Sequence, residues 1–96
     1  MKRDEVLRVL SAHDAELRDF GVERLAVFGS VARDETRPES DVDILVEFRG
    51  KATFDGYMDL EFVLESVLDR SVDLVTRKSL KRRLAPAVEE EALYIS

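Results

Sequence analysis

Residues 29–48, GSVARDETRPESDVDILVEF, decide the fold of this chain. Asp41 to Phe48 is the clearest strand in the sequence. Val42, Ile44, Val46 and Phe48 point one way and Asp41, Asp43, Leu45 and Glu47 the other, as the two-residue period of a strand requires. Just before the stretch, residues 24–28 (Arg-Leu-Ala-Val-Phe) read as a buried strand stopped by Gly29. Ser30 to Arg33 then predicts one helical turn, and Asp34 to Ser40, holding Pro38, a polar connection.

Working outward, residues 5–19 place Val6, Leu10 and Leu17, with Phe20 just beyond, near one face of a 3.6-period helix, and Val9 stands beside them. Gly21 stands where a helix C-cap is expected. His13 falls inside the apolar stripe and reads as a buried or half-buried core histidine rather than a catalytic one. Downstream, Gly50 to Gly56 reads as a loop. A helix follows from about Tyr57 to Asp69, with Leu60, Val63, Leu64, Val67 and Leu68 as its apolar face. Val72 to Val75 is a short strand, and a basic helix is expected from near Ser79. Pro86 should break or restart it, since proline has no N–H to donate. The order αβ(α)βαβα predicts an α/β fold in which helices cover a small sheet. With no repeat, low-complexity tract or linker, residues 1–96 read as a single domain.

The composition narrows the chemistry. The longest run free of charge falls far short of the ~18 residues that span a bilayer. The start, Met1-Lys2-Arg3-Asp4-Glu5, leads into no apolar signal segment, so a cytoplasmic protein away from the membrane is expected. No cysteine is present, which excludes disulfides, thiolate metal sites and a cysteine nucleophile. One histidine excludes a His-rich metal site. Reactive groups must then be carboxylates, hydroxyls and basic side chains. The net charge of −6 argues against stable nucleic-acid binding, which needs a basic surface. Arg77, Lys78, Lys81, Arg82 and Arg83 are a local exception, read either as a solvated helix face or as a contact for phosphate or an acidic partner.

Asp41 and Asp43, at i and i+2 of a strand, share a face with Cα atoms roughly 6–7 Å apart. Two anions so close repel. A divalent cation resolves the conflict, and hard oxygen ligands suit Mg²⁺, which takes one or two carboxylates together with phosphate and water. Gly29 after a buried strand permits a tight turn and close approach of a ligand. Ser30 then stands where free N–H groups and its hydroxyl meet a phosphate, and Arg33 can reach the same anion. No Walker A loop is present. Asp73, in Val72-Asp73-Leu74-Val75, points away from its apolar neighbours. If the two strands are adjacent, Asp73 joins Asp41 and Asp43 on one face as a two-metal site for phosphoryl transfer.

This combination resembles a known family. Gly29-Ser30-x₁₀-Asp41-x-Asp43 is similar to the signature of the DNA polymerase β-type nucleotidyltransferase superfamily. The GSVAR, SDVDILVEF and VDLVT strings resemble its minimal nucleotidyltransferase (MNT) proteins, over nearly the whole chain to about Tyr94. Asp34 departs from the pattern, standing where these proteins often carry glycine. The resemblance implies the nucleotidyltransferase fold with a mixed sheet, and transfer of AMP from ATP to an acceptor hydroxyl. Asp41 and Asp43 would hold two Mg²⁺ ions. Asp73 would bind the ion that activates the acceptor, while Gly29, Ser30 and Arg33 position the β- and γ-phosphates. Larger relatives carry further domains that grip the acceptor, so here the acceptor should be small or be brought by a partner. MNT proteins are often antitoxins of HEPN-domain RNase toxins, and some add AMP to a toxin tyrosine. Alternatives are a non-catalytic antitoxin that neutralises its partner by docking, and transfer to an unknown small acceptor.

Overall fold

The computed structural model describes residues 2–35, 41–51, 53–80 and 85–95. Its centre is a four-stranded mixed sheet in the order β3-β2-β1-β4, built from β1 (Val22–Phe28), β2 (Val42–Phe48), β3 (Val72–Thr76) and β4 (Leu93–Tyr94). β1 runs antiparallel to both β2 and β4, while β2 and β3 are parallel. The mixed sheet that the family resemblance implies is present.

The first helix, expected unbroken over residues 5–19, is two: α1 (Arg3–Ala12) and α2 (Asp14–Arg18). His13 leaves helical geometry at φ −107°, ψ 17°, and its N–H donates to the Leu10 carbonyl, a tightened last turn. Its ring Nδ1 lies 2.9 Å from the Val9 carbonyl, so the half-buried histidine serves the helix end, a structural role. Both pieces still bury the expected side chains, Val6, Leu10 and Leu17.

β1 hands over to the single-turn α3 (Gly29–Ala32), and β2 to α4 (Phe54–Leu68). α4 starts inside the stretch read as a loop, because Thr53 accepts the Gly56 N–H at 3.0 Å and caps the helix early. The expected apolar face is borne out: Leu60, Leu64 and Leu68 are buried, with Val63 and Val67 half-buried. As the crossover between parallel strands, α4 runs antiparallel to β2 and β3. It also blunts the exposed edge of β3. Glu65 accepts the Val72 N–H at 3.0 Å, and the Tyr57 hydroxyl donates to the Leu74 carbonyl.

The basic helix expected from near Ser79 falls largely on residues 81–84, outside the described residues; just before them Arg77–Ser79 form a 3₁₀ turn capped by Thr76. Helix restarts as α5 (Ala85–Glu91), with Pro86 in its first turn, where a missing N–H costs nothing. β4 has no counterpart in the expected order. Arg77 is no free phosphate contact: it is bonded to Glu47 at 2.9 Å, to the Tyr94 hydroxyl at 2.8 Å and to Glu89. With Arg24, 4.1 Å above the Tyr94 ring, it ties α5 and β4 to the sheet. Lys81, Arg82, Arg83 and the Lys78 side chain lie outside the described residues.

The core lies on one side of the sheet, where Val6, Leu10, Leu17, Leu60, Leu64 and Leu68 pack on alternate residues of β1, β2 and β3. A smaller cluster of Ala26, Leu45 and Val88 covers the other side. Strand parity therefore turns Asp43 and Asp73 toward the thinner side. No described helix is long and apolar enough to cross a membrane.

Candidate active site

The site forms where β1 ends and β2 and β3 begin. Phe28 pairs with Asp43 across the antiparallel ladder, and Asp43 pairs with Asp73 across the parallel one. Paired residues of neighbouring strands share a sheet face, so these two carboxylates stand side by side. The Val42 N–H donates to the Ser71 carbonyl at 2.9 Å, locking the two strand starts together. Asp41, exposed just before β2, has the same parity and is close enough for its charge to act on Asp43.

Gly29 is required twice over. Its φ of +70° lies in the left-handed region, and a Cβ there would sit 2.1 Å from Asp43 Oδ2. The glycine thus lets the Asp43 carboxylate lie against the turn. Ser30, half-buried, is the second residue of α3.

Asp43 is half-buried, and its carboxyl is pushed up from 3.8 to about 6. Burial is the first cause, followed by the charges of Asp73 and Asp41, with Glu91 adding a little and Arg33 opposing. Among the described residues no three His, Cys, Asp or Glu side chains stand close enough to enclose an ion by themselves. Mg²⁺ needs only one or two carboxylates when phosphate oxygens and water complete its shell, so the all-oxygen set of Asp41, Asp43 and Asp73 fits that ion. A cation there would relieve the repulsion that now falls on Asp43.

Arg33 lies exposed at the end of α3, its Nη1 2.8 Å from Glu91 and its Nε 3.3 Å from Glu35. The other Glu91 oxygen accepts the Gly29 N–H at 3.0 Å. Glu91, the last residue of α5, therefore holds two groups that the motif reading assigns to phosphate. Sequence reasoning missed it, and the run Glu89-Glu90-Glu91 carries no signal that would single out one carboxylate. Asp34, the departure from the MNT pattern, has φ +59°, a left-handed backbone that glycine adopts without strain. Its side chain accepts the Arg3 N–H at 3.3 Å and ties the turn to α1.

Comparison with known proteins agrees with the fold. A family model described as "Nucleotidyltransferase domain" matches residues 10–95. Protein adenylyltransferase MntA of Thermococcus cleftensis is 43% identical over 93 residues, 96% of this chain and 94% of its own. Among solved structures, a candidate minimal nucleotidyltransferase superposes with a TM-score of 0.85 at 35% identity, over 97% of this chain and 95% of that one. The complex of a tri-AMPylated Shewanella oneidensis HEPN toxin with an MNT antitoxin gives 0.68 at 24% identity, over 94% and 71%, a likeness of fold.

Proposed function

The chain belongs to the nucleotidyltransferase domain family, and from that premise we propose that it is an antitoxin that transfers AMP from ATP to a hydroxyl, a tyrosine's, on a HEPN-domain RNase toxin. The observation that carries this is the in-register pair Asp43 and Asp73 beside a turn whose glycine is packed on Asp43. A relative named as a protein adenylyltransferase and a fold shared with an MNT antitoxin bound to an AMPylated toxin support it. Residues 1–96 act in this reading as one minimal nucleotidyltransferase domain, working in the cytoplasm where ATP is made available.

Asp41 and Asp43 would hold two Mg²⁺ ions, with Asp73 as a further carboxylate ligand. Bound there, such ions would supply neutralising charge to the phosphates and lower the pKa of the acceptor hydroxyl. Asp73 orients that hydroxyl and takes its proton. The hydroxyl oxygen bonds to the α-phosphorus as the bond to pyrophosphate breaks, so catalysis rests on alignment and electrostatics, with no covalent enzyme intermediate. Ser30 and the Gly29 N–H hold the β- and γ-phosphates with Arg33, and the Glu91 carboxylate gives up those two donors as the triphosphate arrives.

The test is incubation of the HEPN-domain partner with ATP and Mg²⁺, read by intact mass. Wild type should add AMP-sized increments, while Asp43→Asn should add none and still bind the partner. If both neutralise the partner equally with no mass change, the protein works by docking and the transferase reading fails.

A further inference from the structure

We propose that the outer face of α4 is the docking surface for the protein acceptor, and that it receives a helix whose apolar face is bordered by lysine and arginine; the identity of that acceptor rests on the function proposed above. Phe54 is 77% exposed, Met58 44% and Phe62 72%. Spaced by four, they form one ridge along the helix, each step drifting only about 40° around its axis. Tyr94, at 37%, is the other exposed large hydrophobic among the described residues, and its ring is covered by Arg24.

The ridge does nothing for the fold. α4 meets the core through Leu60, Leu64 and Leu68 on the opposite side, which already gives it a complete buried stripe. A second apolar face on one helix is surplus to folding and marks an interaction surface.

Its borders say what covers it. Asp55 and Asp59 lie along one flank, with Glu61 and Glu65 along the other at helical spacing, and Asp69 follows the last turn. The described cations near α4 in sequence are Arg49 and Lys51 before it, Arg49 donating to the Arg18 carbonyl, and Arg70 after it, none of them within the helix. A second copy laid on this face would bring the two sets of carboxylates together, on chains that each carry −6. Anionic lipid and nucleic acid are repelled for the same reason. A helix with hydrophobic residues at i, i+4 and i+8 and basic residues beside them satisfies both the ridge and its rims.

α4 packs on the thicker side of the sheet, its last turns beside the start of β3, where Glu65 holds the Val72 N–H. A partner seated on the ridge therefore reaches Asp43 and Asp73, on the other face, around the β3 edge.

The experiment measures affinity for the HEPN-domain toxin proposed as partner, for wild type, Phe54→Gln/Phe62→Gln and Asp55→Lys/Asp59→Lys. ATP binding and thermal melting are followed in parallel. The apolar variant should lose at least tenfold in partner affinity with its melting curve and ATP affinity unchanged. The charge-reversed variant should associate more slowly at low salt, with the difference closing as salt rises. Partner affinity within twofold of wild type for Phe54→Gln/Phe62→Gln overturns the surface assignment, as does a wild-type dimer that this variant converts to monomer. Wild type failing to bind at all overturns both the surface and the proposed partner. Tight wild-type binding with no AMP transfer overturns the reaction alone, and the surface still stands or falls on the variants.

Discussion

Replacing Asp43 with asparagine should stabilise the protein near neutral pH when no divalent cation is present. The carboxyl titrates near 6 in the folded chain against 3.8 for a free one. For a wholly enclosed group that difference corresponds to about 3 kcal/mol. Solvent screening around this half-exposed side chain reduces it to about 1–2 kcal/mol. Because folding raises this pKa, the native state holds the proton more tightly than the unfolded chain does. Stability is then lost as pH rises from about 4 through about 6, and the full penalty stands above that window. Below pH 4 both states are protonated and the penalty vanishes. Asparagine keeps the shape and never ionises, so the variant should match wild type near pH 4 and exceed it by about 1–2 kcal/mol at pH 7. For a domain of this size that is roughly 5–15 °C in melting temperature. Thermal melts in EDTA from pH 4 to 8 measure it directly. A variant less stable than wild type at pH 7, or a difference that does not change with pH, would refute the account of a carboxylate crowded by Asp73 and Asp41.

The other expectations concern the turn and the ligands. Gly29→Ala should cost about 2 kcal/mol or more and abolish nucleotide transfer, since the new methyl meets both a left-handed φ and Asp43 Oδ2; a melting temperature equal to wild type would contradict the packing. Glu91→Gln should bind ATP several-fold more tightly by calorimetry, because it removes the anion that competes for the Gly29 N–H and Arg33. Weaker binding would mean that Glu91 positions Arg33 for the phosphate instead. Adding Mg²⁺ and ATP at a hundred times their dissociation constant should stabilise the fold by about 2.7 kcal/mol. An unchanged melting curve would leave the carboxylate site without its ligand.

The period-two pattern of residues 42–48 was enough to turn Val42, Ile44 and Val46 inward and Asp43 outward, because side-chain direction along a strand is a local property. The same holds for Asp73 between Val72 and Leu74, and for Gly29 at the end of an apolar strand. These local rules make the three carboxylates and the Gly-Ser turn legible in the amino-acid order alone. They could not show that the two strands are neighbours, nor that Asp43 and Asp73 meet in register, since strand order depends on how α4 crosses over. Nor could they find β4, two residues long and held by its pairing with Ala26 and Val27 rather than by any pattern of its own. Even the break at His13 turns on one residue's backbone angles inside a continuous apolar stripe. Glu91 is the sharpest case. It reaches Gly29 across 62 residues of chain, and one glutamate among three adjacent ones is chosen only by where α5 docks against the sheet. Side-chain direction within an element is set by nearest-neighbour sterics, which the sequence carries. Contact between distant elements is set by how whole faces pack, which is decided only once the chain has folded.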